Sequence, residues 1–411
     1  MKILIVSTYD SHGGAPRAAR RLHSALLEIG HESKMLVFQK LSDDYTIIGP
    51  TSRLERVTNF FRIYIDAIPI KLRRKKPESL FSVGLLPNAT LIQKINRLKP
   101  DLVHLHWIGG GMLRFEDIEN IKAPIVWTLH DNSPFTGGCH IMWDCEKYKD
   151  SCGACPRLFS VKENDLSRWI IQRKLKHSQY LQKAIIVGVS QWISRCAKES
   201  KVFSRNRVNT IPNPLNTNIY YPIPKQMARN LFQLPQERRL VLFGAISSTS
   251  DINKGFRELC VALDLIKTDV DIVIFGASAP EALPSLPHKI HYAGILYDDQ
   301  SLAILYSACD VVVVPSRQES FGQTASEAMS CGTPVVAFAT TGLLDIVDHK
   351  INGYLAEPFN SLDLATGIDW ILNNEQYPDI SRLARDKCLR VFNDHIVAKK
   401  YVAIYQEAVL Q

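Results

Sequence analysis

The chain has 411 residues, 46% of them hydrophobic and 22% charged, with a formal net charge of +8. That length suits two domains of ordinary size, each with its own core. No apolar run reaches the ~18 residues needed to span a bilayer, no repeat or low-complexity tract is present, and the modest positive charge favours anionic ligands or an acidic membrane surface.

In chain order, the opening MKILIVSTYD is too short in its apolar part for a secretory signal and reads as a first strand over 3–6. The chain is therefore expected in the cytoplasm, with its nine cysteines reduced. A glycine-containing loop, STYDSHGGAP, leads into a predicted helix over 17–29, where Ala18, Ala19, Leu22, Leu26 and Ile29 follow helical spacing and Gly30 ends the run. Over 59–77, NFFRIYIDAIPIKLRRKKP, aromatic and aliphatic residues precede Lys71, Arg73, Arg74, Lys75 and Lys76. Two readings stand: a peripheral membrane contact on acidic headgroups, or a core-packed helix followed by a solvated basic loop. No nucleic-acid-binding motif accompanies the patch.

DLVHLHW and APIVWTLHD read as further strands, running into loops that carry His106 and His130. His104 and His106 alternate along one strand and so share a face; His104 is expected in the core. Four cysteines follow with spacing C-x5-C-x6-C-x2-C: Cys139, Cys145, Cys152 and Cys155. Reduced thiols so close fit either a structural zinc or a cluster of free thiols. AIIVGVSQW is another strand. The proline-rich stretch 211–225 has no periodicity and is read as a linker. Beyond it RRLVLFGAI, DIVIFGAS, IHYAGI, CDVVVVPS and TPVVAFA repeat the strand pattern, and a helix over 396–410 closes the chain.

Strands alternating with helices from end to end predict an α/β protein of two domains with parallel sheets. The expected division is 1–210, a linker over 211–225, 226–390, and a segment 391–411 packing back toward the first domain. The carboxyl ends of both sheets would then border a central cleft.

PSRQESFGQTASEAMSCG follows the all-valine run 311–314 and carries Glu319 in a turn and Glu327 eight positions on. Ser320 and Gln323 form an S-x-x-Q pattern, which predicts a helix from about Phe321 with its N–H groups over the sheet edge, an anion site that Gly322 leaves approachable. Glu319 and Glu327 would reach different parts of one long ligand whose anionic middle lies at the helix start. Gly13 and Gly14 would offer backbone N–H groups to the same diphosphate from the other domain. Lys254, just before Gly255, would add an ammonium group.

With these residues the chain resembles family 4 glycosyltransferases of GT-B fold, over nearly its whole length. Glu319 and Glu327 meet the E-x7-E motif, Gly13 and Gly14 the N-terminal glycine loop, and IPNPLNTNIYYP the interdomain segment. The resemblance implies two Rossmann-like domains and transfer of a sugar, with retention of configuration, from a UDP- or GDP-sugar to a glycan or lipid-linked acceptor. It assigns Glu319 to the donor sugar, Glu327 to the ribose, Gly14 and Lys254 to the diphosphate, His130 to the sugar pocket and backbone near Ile295 and Leu296 to the base. No catalytic metal or other cofactor is expected. One departure stands out: Ala245 occupies the place of a customary arginine, leaving Arg17 and Arg317 as candidate replacements. VHLHWIGGG and TLHDNSPFTGGCH are similar to the branch that builds bacterial surface polysaccharides, colanic-acid-type enzymes among them; the expected place is the cytoplasm, peripheral on the inner face of the membrane where the basic stretch 59–77 makes that contact. A sugar-nucleotide epimerase or glycan phosphorylase is disfavoured, because the E-x7-E pattern opposes the first and no cofactor lysine is identifiable for the second. A non-catalytic nucleotide-sugar binder is opposed by the intact Glu319, Glu327, His130 and Lys254.

Overall fold

The computed structural model describes residues 1–11, 13–244, 251–276 and 287–411. The chain separates into two compact units, Met1–Pro214 with Val397–Gln411, and Leu215–Ile396.

The first unit holds a seven-stranded parallel sheet: β1 (Lys2–Tyr9), β2 (Glu32–Gln39), β3 (Ile47–Ile48), β4 (Leu102–Leu105), β5 (Ile125–Leu129), β6 (Ile185–Gly188) and β7 (Val208–Thr210). Their order is β3-β2-β1-β4-β5-β6-β7. Every residue of β4, β5 and β6 is buried, as a parallel sheet covered on both faces requires. The helix Gly14–Glu28 starts three residues earlier than its apolar spacing predicts, because Gly13 turns the chain at φ 93° and Pro16 fits the first turn. Its Ala19, Leu22 and Leu26 pack on Ile3 and Ile5. The helix Asp394–Leu410 returns Val397, Ala398, Tyr401 and Tyr405 to the same core. The two tyrosine hydroxyls satisfy polar groups that the sheet buries. The Tyr405 hydroxyl lies 2.7 Å from His104 Nδ1, Thr128 Oγ1 lies 2.8 Å from His104 Nε2, and the Tyr401 hydroxyl lies 2.9 Å from Thr128 Oγ1.

The second unit holds a six-stranded parallel sheet: β8 (Arg239–Gly244), β9 (Val270–Phe275), β10 (Ile290–Gly294), β11 (Val311–Val314), β12 (Val335–Phe338) and β13 (Gly353–Ala356), in the order β10-β9-β8-β11-β12-β13. Val241, Phe243, Ile272, Val313 and Val336 form its core with Leu259 and Ile368 from flanking helices. Ala245 lies outside the described residues.

Gly255 is the tightest position in this unit. Its φ is +70°, and a Cβ there would sit 1.9 Å from the Pro315 carbonyl oxygen, a backbone atom that cannot swing aside. Gly294 has a similar φ of +69° but nothing within 4 Å of the same point. Gly294→Ala should therefore cost only the left-handed backbone penalty, about 1 kcal/mol, and Gly255→Ala about 3 kcal/mol or more. Urea midpoints of the two variants measure the difference; equal midpoints would remove the close approach as a constraint.

Candidate functional site

In the six-stranded sheet the chain runs from β8 to β9 and β10 on one side, and from β11 to β12 and β13 on the other. β8 and β11 therefore flank a topological switch point, where loops splay apart and ligands bind at strand carboxyl ends. Residues 251–255 and 315–322 occupy that edge. Asp251 accepts the Asn253 N–H at 2.9 Å and shapes the turn. Buried Asn253 then joins the two loops: its carbonyl accepts the Arg317 N–H at 2.9 Å, and its Nδ2 donates to the Gln318 carbonyl at 2.8 Å. The result brings Lys254 Nζ to 2.7 Å from Glu319 Oε1, with the side chains 24% and 19% exposed. Burial works against the Lys254 charge, but the Glu319 carboxylate outweighs it and holds the ammonium above its ordinary pKa.

Behind Glu319 the S-x-x-Q pattern does not form a capping box. The helix is Gln323–Ser330, its N-cap is Gly322 at φ 105°, and no side chain caps it. Phe321 is buried instead, its ring edge-on to Phe392 at 5.5 Å. Gly322 also serves packing, since a Cβ there would meet Leu343 Cδ2 at 2.8 Å. Ser320 stays half-buried, and its carbonyl lies 2.5 Å from where a Gly342 Cβ would stand. Glu327 is only 2% exposed and accepts the Tyr306 hydroxyl at 3.1 Å. Ile295, 49% exposed, and half-buried Leu296 follow β10 at the same sheet edge. Arg317 pairs with Glu258 and lies 5.7 Å over the Phe359 ring, so the two groups already engage its guanidinium.

The first unit has its own concentration of polar groups, at the carboxyl ends of β4 and β5. His106 Nδ1 lies 2.8 Å from His130 Nε2. Burial lowers both imidazoles, His130 to about 4 despite neighbouring Asp131, and His106 further under the added influence of His104 and His130. Both rings are therefore neutral at pH 7. Burial pushes Asp131 up, but His140 and Ser133 hold it down to about 2. Its Oδ2 accepts Trp107 Nε1–H at 2.8 Å and lies 2.6 Å from His140 Nδ1. Lys174 donates to the carbonyls of Ser133 and Thr136, and burial brings it down to about 8. His106, Trp107, His130, Asp131 and Lys174 border a cavity of about 70 Å³ that is also lined by Ser82, Trp127 and Arg173. His106 Nε2, Arg173 Nη1 and both amide ends of Asn132 are buried without partners, as polar atoms awaiting a ligand or water are. Asp131, Asn132, Trp107 and Lys174 escaped the sequence reading. The dipeptide after His130 was the available signal; Lys174 sits in an ordinary helix and gave none. Gly13 and Gly14 begin the first helix, where the Arg17 N–H reaches the Gly13 carbonyl at 3.3 Å.

Cys139, Cys145, Cys152 and Cys155 converge on one small cavity of about 10 Å³. Burial raises the Cys139 thiol to about 12 and the Cys152 thiol to about 11. Among the described residues, however, no group of three or more His, Cys, Asp or Glu side chains is placed to hold a metal ion.

Residues 12–219 match the family described as Glycosyltransferase Family 4, and residues 237–374 match Glycosyl transferases group 1. An uncharacterized glycosyltransferase of Methanocaldococcus jannaschii is 36% identical over 29% of this chain and 31% of its own. Mannosylfructose-phosphate synthase of Agrobacterium fabrum is 25% identical over 88% of this chain and 82% of its own. The chain spans less than half the length of the first curated relatives it matches, 31% to 44%. Among solved structures, HepE of Anabaena in complex with UDP-glucose superposes with a TM-score of 0.67 at 18% identity, covering 99% of this chain and 100% of that one. Such a likeness establishes the two-domain GT-B fold.

The buried histidines set a pH dependence. His23, held by Ser33 and Thr46, is lowered to about 4 by burial, as His130 is. Each stays neutral when folded and takes up a proton on unfolding below its ordinary value of 6.5. Their contribution, on the order of 3 kcal/mol each, is complete above that pH and is lost as pH falls to about 4. Calorimetric Tm should drop across this window, and less steeply in His23→Gln than in the parent. An unchanged slope would exclude His23 as a contributor.

Proposed function

Because the chain belongs to glycosyltransferase family 4, we propose that it moves a sugar from a nucleoside diphosphate to a hydroxyl of a glycan or lipid-linked acceptor. The observation that carries this is the Lys254–Glu319 pair at the switch point of the second sheet. An ammonium and a carboxylate side by side, at the start of a helix, match a donor with an anionic diphosphate and a hydroxylated sugar. Transfer breaks the bond between the anomeric carbon and the diphosphate oxygen and forms one to the acceptor oxygen. The departing diphosphate gains negative charge and can take the acceptor's proton. Lys254 and the first N–H groups of Gln323–Ser330 stabilise that charge, so the chemistry calls for no metal. Once the diphosphate takes Lys254, Glu319 is released to bind sugar hydroxyls. Placing the incoming acceptor on the face that the diphosphate leaves gives retention.

The UDP and UDP-glucose complexes of HepE support a uridine or similar nucleotide here, with Ile295 and Leu296 beside the base and Glu327 on the ribose. His130 and His106, being neutral, would act as hydrogen-bond partners of a sugar and not as cations. The resemblance of TLHDNSPFTGGCH supports a role in surface polysaccharide synthesis on the cytoplasmic side. A structural zinc on Cys139, Cys145, Cys152 and Cys155 is a separate proposal. It rests on their convergence at one cavity and requires displacement of the thiol protons. Elemental analysis after purification without chelators should then give about one zinc per chain; metal-free protein of unchanged stability would leave a packed thiol cluster.

Glu319→Gln should lower turnover roughly ten- to a hundredfold, since a hydrogen bond to a charged carboxylate contributes about 1.5–3 kcal/mol, while affinity for the free nucleoside diphosphate stays near that of the parent. Glu327→Gln should weaken the donor and the bare nucleotide alike. Calorimetric titration with UDP and GDP, beside transfer rates from labelled nucleotide sugars, separates the two effects. Loss of nucleotide affinity in Glu319→Gln with none in Glu327→Gln would reverse the assignment. Absence of turnover with every donor, despite tight nucleotide binding, would leave a binding protein and not a transferase.

A further inference from the structure

The helix Arg53–Asp66 and the turn Ile68–Lys71 that continues it pack in an unusual sense. The face turned into the protein is anchored through polar side chains. Asn59 Nδ2 donates to the Phe38 carbonyl at 2.9 Å, Arg62 Nε to the Gly111 carbonyl at 3.0 Å, and Asp66 accepts the Leu85 N–H at 2.7 Å. Asn59 and Asp66 are the residues of this helix that are buried. The apolar residues face outward instead: Leu54, Phe61, Tyr64, Ile65, Ile68 and Leu72 are all exposed, Leu72 to 80%. At 100° per residue these positions fall within one stripe roughly a third of the helix circumference wide. A soluble surface normally breaks up such a stripe, and a continuous one marks an interaction face.

Charge identifies the occupant. Directly beyond the stripe, Lys71, Arg74, Lys75 and Lys76 are exposed, and Lys71 Nζ lies 4.6 Å over the Tyr64 ring. Arg73, Arg74 and Lys75 line a concavity of about 600 Å³ with Leu158 and Phe159. Arg73 donates to the Leu158 carbonyl at 2.8 Å, while its Nε is buried without a partner. Phe159, at φ 50°, is 47% exposed beside this basic hollow, and Lys75 Nζ lies 5.7 Å from its ring. An apolar stripe that ends in a cluster of cations, with a cationic hollow of headgroup size alongside, complements an acidic lipid surface: acyl chains against the stripe, phosphates against the cations. No helix among the described residues is long and apolar enough to cross a membrane.

We propose that this face docks the first unit peripherally on an acidic phospholipid bilayer, with the helix lying in the plane of the interface. The assignment is independent of the reaction proposed above and can fail or hold without it.

Cosedimentation with vesicles of phosphatidylcholine, alone or mixed with phosphatidylglycerol, tests it. The full chain should bind the mixed vesicles and barely the neutral ones, and should release as salt rises. Each cation near an acidic surface strengthens binding roughly fivefold, so Lys71/Arg74/Lys75/Lys76→Ser should lose on the order of several hundredfold. Phe61→Ser/Ile65→Ser should also lose binding, with UDP affinity unchanged in both variants. All substituted side chains are solvent-exposed, and an unchanged melting curve confirms the fold. A parent that ignores acidic vesicles, or variants that bind as it does, would overturn the proposal. So would a parent that is dimeric by ultracentrifugation and becomes monomeric in Phe61→Ser/Ile65→Ser, which would make the stripe a contact between copies.

Discussion

The crossing of residues 251–255 under residues 315–319 is the constraint on which the second unit's candidate site rests. Gly255 allows its backbone to pass where any side chain would strike the Pro315 carbonyl, and Asn253 fastens the crossing with hydrogen bonds to the backbone of Arg317 and Gln318. Lys254 lies between those two residues in sequence, so its reach to Glu319 follows from the crossing and not from its own rotamer alone. A salt bridge this accessible contributes little to stability. Its interest is chemical: two opposite charges stand within reach of solvent on a rigid edge, and a polyanion could separate them.

The first unit solves a different problem. Its sheet buries His104, Thr128 and His106 on one face, and buried polar groups are costly unless bonded. The helix Asp394–Leu410 meets that demand with Tyr401 and Tyr405, which explains why tyrosines and not phenylalanines lie under the sheet. The network stops at His106. Its Nδ1 faces His130, while its Nε2 is left without a partner beside the cavity. The same burial that makes these rings neutral makes them hydrogen-bonding groups over the whole range above about pH 4. Polar atoms left open at the rim of an otherwise satisfied network are where a ligand would be recognised.

The surface helix Arg53–Asp66 shows why composition alone left two readings of residues 59–77. Amphipathic spacing reports that a helix has an apolar face, not which way that face points. Here Asn59, Arg62 and Asp66 hold the inward side through backbone groups of neighbouring loops, and the apolar stripe is outside. Only the partners of those polar side chains, 19 to 49 residues away in sequence, decide the orientation.

The sequence by itself determined the fold class, most strands though not β2, β3, β7 and β13, the glycine turns and the place of Glu319 in the loop after β11, because those depend on local periodicity and on backbone freedom at single residues. It also carried the family resemblance through motifs that are contiguous in the chain. It misplaced the start of the helix after Glu319: Ser320 and Gln323 have capping chemistry, but burying Phe321 against Phe392 and seating Gly322 over Leu343 moved the first turn to Gln323. Arg317 looked available for a phosphate until the fold brought Glu258 and Phe359 to it, and Glu327, expected to reach a ligand, lies buried with the Tyr306 hydroxyl donating to it. The spacing of the four cysteines left a metal site and a free-thiol cluster both open, and only packing showed that all four line one cavity. In each case the deciding partner lies on another element, and which elements meet is settled by burial of the whole core. That is why the tertiary structure alone could decide these points.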